Sequence, residues 1–469
     1  MKKINIDLLI KNGTIVTVNE EKEVLKNHSL AINNNKIYDI GPNNELINKY
    51  NKVNKTINAE GKIIFPGLIN THNHLFQTLL KGLGDDMVLS DWFANMTAPS
   101  AIHLRPKDVY SGARLGIAEA IHSGTTTMFD YMYPQPQPKL TDEIVAAYKD
   151  FKIRGIVGRG MMNTGKQFGT PTEIMQSTQD IINDVERLVD KYHGKDNIKI
   201  WVAPAALWSS SEQLLKKLWA LVKRYNIGLS VHISETPFDR KAAEKLHGLP
   251  DAELLEKFNM VGSNVLMVHC VHLTERDLRM AQYYDMKVSH NPVSNMYLAS
   301  GVAPIPRMIE SGIDVGLATD GAASNNSQNM IEVLKFTALL QKVNSMDPTI
   351  LTAEKVLEMA TIGGARTLGM EKEIGSIEID KKADIFIYNP ALTAQSTPMH
   401  NPVSTLVYSG SQVGVETVVI DGNIIMEKGK ILPVDEKEVI KEGQNIADDL
   451  SKRAHTGDKK NRKWRSIAF

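Results

Sequence analysis

Two histidines one residue apart, His72 and His74, end the segment PGLINTHNH, and five more ionisable residues stand at comparable places along the chain. His232 and Glu235 lie in SVHISET, His269 in LMVHCVH, His290 in VSHNP and Asp320 in LATDGAASNN. Each follows a short apolar run. In an extended segment residues two apart share a face, so His72 and His74 can point the same way while Asn73 points away. Imidazoles and carboxylates without thiolates suit one divalent ion, Zn²⁺ or Fe²⁺, with a position left open for water. Such an ion makes its water acidic enough to act near neutral pH. Glu235, three residues after His232, is placed to carry a proton between water and substrate. Taken singly, each histidine also fits a polar residue that caps or hydrogen-bonds backbone; taken together they predict a metal site. His290 fits either an orienting residue behind the ligands or a loop anchor in HNPVSN.

The elements that must gather these residues are legible as alternation. Apolar runs at 62–69, 125–132, 154–161, 198–206, 228–234, 265–272, 287–294 and 314–319 alternate with stretches of helical spacing such as EIMQSTQDIINDVERLVDKYH and SEQLLKKLWALVKRY. These runs predict an α/β fold, a (β/α)₈ TIM-like barrel whose chemistry sits at the C-terminal ends of its strands. The ends of the chain differ from the middle. DLLIKNGTIVTVNEE, HSLAINNNKIYDIGP and ETVVIDGNIIMEKGKIL read as short hairpins with Asn-Gly, Asn-rich, Asp-Gly and Lys-Gly turns. Residues 1–65 and 372–469 are therefore expected to form one β-sandwich domain with a C-terminal tail, around a barrel spanning 66–371. The stretch 75–103 is too long for a routine connection and is expected to cover the substrate.

Composition narrows the partners. The chain has 469 residues with 54 basic and 54 acidic side chains, so no long-range field favours nucleic acid or an anionic membrane. A small neutral substrate fits better. Cys270 is the only cysteine, which excludes an intramolecular disulfide, and beside His269 it reads as core. The start, MKKINID, has no signal-peptide core, and no run approaches the ~20 apolar residues of a membrane span, so the expected location is the cytoplasm. The basic stretch from Ser451, SKRAHTGDKKNRKWRSIAF, reads as a solvated or packing tail. Gly82 and Gly84 do not form a phosphate loop, and no Walker or Rossmann pattern is present.

PGLINTHNH, HISE, VHCVHL, SHNPVSNMYLASGVAPIPRMIESGIDVGLATDGAASNNSQNM and EMATIGGARTLGMEKEIGSIEIDKKADIFI together resemble the amidohydrolase superfamily. Within it, the chain is similar to methylthioadenosine/S-adenosylhomocysteine deaminases and the atrazine chlorohydrolase-like branch. The resemblance implies a metal-dependent hydrolase that removes an amino group from an aminated nitrogen heterocycle, with a 5′-modified adenosine as the leading substrate. It implies metal ligands at His72, His74, His232 and Asp320, with His269 orienting water or substrate. It also implies that Glu235 relays protons and Asp320 takes a proton from water, in an enzyme that is a homo-oligomer. The pattern departs from those deaminases at two places. Asp85 stands where they carry a ribose-binding glutamate, and Ala205 of VAPAALWSS where they carry a purine-contacting histidine. APA at that place is more like atrazine chlorohydrolase and melamine deaminase, while HNHLFQTL and RGMMN are like 8-oxoguanine deaminase. A triazine chlorohydrolase or an oxopurine deaminase is thus the alternative. Candidate substrate contacts are Gln77 through its amide, Asp85, Trp92 as an aromatic wall, Arg159 at the end of the third strand, His290 and Ser324.

Overall fold

The computed structural model describes residues 5–461; the first four residues, and the end of the basic tail from 462 onward, lie outside the described residues. Eight parallel strands form the barrel sheet: β1 Leu68–Asn73, β2 Thr125–Met132, β3 Arg154–Met161, β4 Ile198–Pro204, β5 Leu229–Ile233, β6 Val265–His269, β7 Lys287–His290 and β8 Val315–Leu317. They are paired in sequence order from β1 to β8. The ring closes between β8 and β1 through a few bonds rather than a ladder: Thr71 Oγ1 donates to Leu317 O at 3.0 Å, and Asp320 N–H donates to His72 O at 3.2 Å. Closure therefore draws Asp320 beside His72, although the two are far apart in sequence.

A second, nine-stranded mixed sheet combines strands from both ends of the chain, as expected. Its period-two alternation serves two cores at once. Ile64, Ile385, Ile387 and Val419 join a core within the terminal domain, while their neighbours Ile63, Phe65, Phe386, Tyr388 and Val418 join the barrel core. Phe65 and Phe386 stack with centroids 5.3 Å apart at that junction.

Two expectations need correction. The apolar run 62–69 is not one strand: Ile63–Pro66 belongs to the terminal sheet and β1 to the barrel. The break falls at Gly67, where an added Cβ would lie 2.0 Å from Thr126 Oγ1, so the chain can cross between sheets only on glycine. Asn12-Gly13 does not turn a hairpin either. It sits inside the single strand Asn5–Val16 as an irregularity in register, with Asn12 at φ 63. The turns at Asn34, Asp421-Gly422 and Lys428-Gly429 do join paired antiparallel strands.

Helix Glu436–Arg453 packs on the barrel helix Pro106–His122 rather than on the terminal sheet. Arg453 Nη2 bonds Asp108 at 2.7 Å, His122 Nε2 meets Glu436 at 2.7 Å, and Arg114 Nη1 meets Glu442 at 3.3 Å. The terminal sheet is tied to the barrel by a buried ion pair, Arg154 Nε to Asp384 Oδ2 at 2.7 Å, with Nη2 to Oδ1 at 3.0 Å. Asp384 also accepts Asp421 N–H at 2.7 Å. Removing Asp384 leaves the buried Arg154 with only the longer contact to Asp421 at 3.3 Å as an ion pair, so Asp384→Ala is expected to lower stability by about 3 kcal/mol. The urea midpoint measures this.

Candidate metal centre and active site

The polypeptide reverses sharply where the barrel strands end. Ser234, His269, Cys270 and Asp320 all have positive φ, of 48°, 71°, 55° and 63°. Left-handed backbone at non-glycine residues costs free energy and is retained where it aims a side chain. The turns at Ser234 and at His269-Cys270 stop β5 and β6 short of the expected 228–234 and 265–272; β8 also ends early, at Leu317 rather than 319, ahead of the Asp320 turn. The Ser234 turn is braced by Asp251, whose Oδ1 accepts Ser234 Oγ–H at 2.7 Å. Cys270 is fully buried, in agreement with its reading as core.

At the mouth these ends bring His72, His74, His232 and Asp320 together. His72 Nε2 lies 3.3 Å and His74 Nε2 3.4 Å from Asp320 Oδ1, and His232 Nε2 is 3.3 Å from His74 Nε2. The sets His72, His74, Asp320 and His72, His232, His269 each offer ligand atoms within 4.8 Å of one another. The neighbouring bonds fix which nitrogens face inward. His74 Nδ1 is 2.7 Å from Tyr131 O and His232 Nδ1 is 2.5 Å from Ala205 O. A carbonyl only accepts, so each proton sits on Nδ1 and each Nε2 lone pair is left toward the cluster. Asp320 Oδ2 is occupied by hydroxyls of Ser294 at 2.6 Å and Ser324 at 2.9 Å.

What remains is a set of buried atoms that do not satisfy one another. Both ring nitrogens of His72 and Asp320 Oδ1 are buried without hydrogen-bond partners. Burial lowers the pKa of His72, pushes His74 down to about 3 and holds His232 well below its usual value. Burial alone would raise Asp320, but the adjoining His72, with the charges of His74 and His269, keeps it well below the usual carboxylate range. Neutral imidazoles facing an ionised carboxylate are the donor set a divalent ion takes, so the residues present fit a metal.

Glu235 and His269 form a second pair at the rim of this cluster. Their Oε2 and Nε2 atoms are 3.5 Å apart, and Glu235 Oε1 accepts Ser300 Oγ–H at 3.1 Å. Burial raises Glu235 to about 7, against the lowering effect of His269. Burial would lower His269, but Glu235 and Asp320 raise it above its ordinary value. Its Nδ1 donates to Asn295 Oδ1 at 2.9 Å. Both residues face a cavity of about 500 Å³ that His74, His232 and Asp320 also line.

The other candidates divide. Gln77, Trp92 and Ser324 line this cavity. Gln77 Nε2 donates to Tyr133 Oη at 3.3 Å while its buried Oε1 has no partner; a Cβ on Gly321 would lie 1.9 Å from that oxygen. Trp92 is buried and donates to Ala323 O at 2.8 Å, so the covering segment 75–103 does supply a wall. Arg159, Asp85 and His290 do not line the cavity. Arg159 faces the helix Thr178–Tyr192, bonding Asp184 at 2.9 Å and Gln176 at 2.8 Å, because the lumen face of β3 is carried by Gly158 and Gly160. Asp85 accepts from Tyr297 Oη and, at 3.2 Å, from Asn326 Nδ2. His290 is fully buried, and burial pushes it down to about 3. Sequence reasoning passed over Ser294, Ser300 and Asn295, which lie near quoted motifs but carry no signal of their own as buried donors or acceptors.

Residues 63–425 match the Amidohydrolase family, and the chain belongs to it. The chain is 36% identical to the 5′-deoxyadenosine deaminase of Methanobrevibacter smithii, over 94% of this chain and 98% of that one. It is 37% identical to the 5-methylthioadenosine/S-adenosylhomocysteine deaminase of Carboxydothermus hydrogenoformans, over 92% and 96% respectively. Among solved structures, an adenosine deaminase of Xanthomonas campestris with bound zinc superposes with a TM-score of 0.89 at 27% identity, covering 96% of this chain and all of that one.

Asp130, on β2, accepts Leu75 N–H at 2.7 Å beside His74, and its other oxygen is buried without a partner. Burial raises it from an ordinary 3.8 to about 7. A carboxyl raised on folding contributes stability that is complete below about pH 4 and is lost as pH rises through 7, at about 1.4 kcal/mol per pH unit at the steepest. Asp130→Asn is therefore expected to flatten the stability of the metal-free protein between pH 5 and 8, measured as urea midpoint against pH. An unchanged slope would contradict the assignment.

Proposed function

We propose that the protein is a metal-dependent aminohydrolase that deaminates an aminated nitrogen heterocycle, a 5′-modified adenosine first among them. The observation that carries this reading is Glu235, a buried carboxyl raised to about 7, paired with His269 at the edge of the orphaned cluster and facing the cavity. The names of the relatives agree with it. We assign His72, His74, His232 and Asp320 as ligands of one divalent ion, zinc before iron, in keeping with the zinc-bound relative. Such an ion supplies Lewis-acid activation of water near neutral pH.

The remaining steps belong to the side chains. Asp320, its outer oxygen held by Ser294 and Ser324, directs Oδ1 into the cluster, and that same oxygen is the one placed to take the proton of the attacking water. Water adds to the ring carbon that bears the amine. Glu235 gives a proton to the adjacent ring nitrogen, and His269, favoured in its charged form, stabilises the charge that develops. Asp320 passes its proton to the amine, the tetrahedral carbon expels ammonia, and the added hydroxyl returns a proton to Glu235. Gln77 offers an acceptor to the ring and Trp92 a flat wall. We further assign the enzyme to the cytoplasm, supported by its lone cysteine. Self-association is supported by the exposed apolar strip Phe336, Leu339 and Val343 on helix Met330–Ser345. Among the described residues no helix is long and apolar enough to cross a membrane.

Ammonia release from 5′-deoxyadenosine, 5-methylthioadenosine, guanine, 8-oxoguanine and aminotriazines is the test. Release from a 5′-modified adenosine is expected; silence on every amine, or chloride release from a chlorotriazine in its place, would replace the reading. Glu235→Gln should keep its metal and lose turnover by about 10²–10⁴-fold.

A further inference from the structure

The cavity changes character away from the catalytic residues. Phe168, Trp208 and Phe238 come from the turns after β3 and β4 and from the helix Pro237–His247 after β5. All three line the cavity, and each ring meets the other two edge-on, with centroids 5.7, 5.9 and 5.5 Å apart. Phe238 is 43% exposed, whereas His74, Glu235 and Asp320 are buried, so the triad forms the outer part of the cavity. An accessible aromatic cluster continuous with a catalytic pocket marks a place for apolar ligand surface.

Charge at this end points the same way. Among the described residues no Lys or Arg lines the cavity, and the acidic residue among the rings, Asp239, is occupied: Oδ1 accepts Trp208 Nε1–H at 3.0 Å and Oδ2 accepts Thr236 N–H at 2.8 Å. Lys245 packs on Phe168, 5.8 Å from its centroid, but is exposed and outside the lining. A carboxylate placed among these rings would lose water with only the solvent-screened Lys245 at the rim as a cation and would lie near Asp239. A thioether, alkyl or aryl group would lose only water from apolar surface.

We infer that Phe168, Trp208 and Phe238 form a substituent subsite selective for uncharged, apolar groups on the aminated heterocycle and against carboxylate-bearing ones. Resting on the deaminase reading, this separates two substrates that share an adenine: 5-methylthioadenosine is accepted and S-adenosylhomocysteine, whose side chain ends in an amino acid, is disfavoured. A 5′-arylthioadenosine is accepted as well, since its ring can join the triad.

The test is kcat/KM by ammonia release for these three compounds and 5′-deoxyadenosine. The wild-type protein is expected to favour both neutral thioethers over S-adenosylhomocysteine by tenfold or more, with the difference in KM. Trp208→Leu should cost the arylthio compound about tenfold more than it costs 5′-deoxyadenosine. Phe238→Arg, at an exposed position, should move the ratio toward S-adenosylhomocysteine by at least fivefold. S-adenosylhomocysteine within tenfold of the neutral thioethers, or ratios unmoved in both variants, would overturn the subsite while leaving the deaminase reading intact. Absence of ammonia from all four would overturn both.

Discussion

Buried lone pairs that face one another are the constraint on which the rest of this molecule depends. The Nε2 atoms of His72, His74 and His232 and the Oδ1 of Asp320 converge at the barrel mouth, and both nitrogens of His72 and that oxygen have no hydrogen-bond partner. Unpaired buried polar atoms each cost about 1–3 kcal/mol, so a fold keeps such a group only where something compensates it. A divalent cation does so for the three Nε2 atoms and Asp320 Oδ1 at once; His72 Nδ1, on the far side of its ring, is not among them. The surroundings are arranged for that outcome: Tyr131 and Ala205 carbonyls hold protons on the far nitrogens, and two serines occupy the outer oxygen of Asp320.

Holding that arrangement shapes the architecture around it. Strands β5 and β6 run into left-handed residues at their ends, and Asp320, three residues past β8, is left-handed as well; these turns leave the chain free to lead into loops. Barrel closure itself runs through His72 O and Asp320 N–H, so the ring and the site share a bond. The terminal sheet braces the start of β1 through Gly67 and the start of β3 through Arg154 and Asp384. The outer cavity wall comes from segments that the barrel does not need for closure: the 75–103 stretch with Trp92, and the turns that carry Phe168, Trp208 and Phe238.

Much of this was legible because barrel topology converts sequence position into place. Seven ionisable residues at the ends of apolar runs pointed to one mouth, and the structure gathers six of them, His72, His74, His232, Glu235, His269 and Asp320, while His290 lies buried outside the cavity. Other features turn on geometry that periodicity does not carry. The run 62–69 is uniformly apolar, so nothing in it marks the change of sheet at Gly67. Arg159 is a candidate from the sequence because it stands at the end of the third apolar run, yet glycines on the lumen face leave it on the opposite one. Asp85 sits at a position with pocket precedent in related deaminases, but Tyr297 and Asn326 engage it instead. The apolar runs overshoot the ends of β5 and β6 because left-handed turns at serine and histidine have no residue signature comparable to glycine.

The central claim is that one cation completes the cluster of His72, His74, His232 and Asp320. Calorimetric titration of Zn²⁺ into chelator-treated protein tests it most directly, with the His74→Ala, His232→Ala double variant as the comparison. The account predicts one ion bound per chain by the wild-type protein and loss of that binding in the variant. No saturable binding by the wild type, or equal binding by the variant, would contradict it.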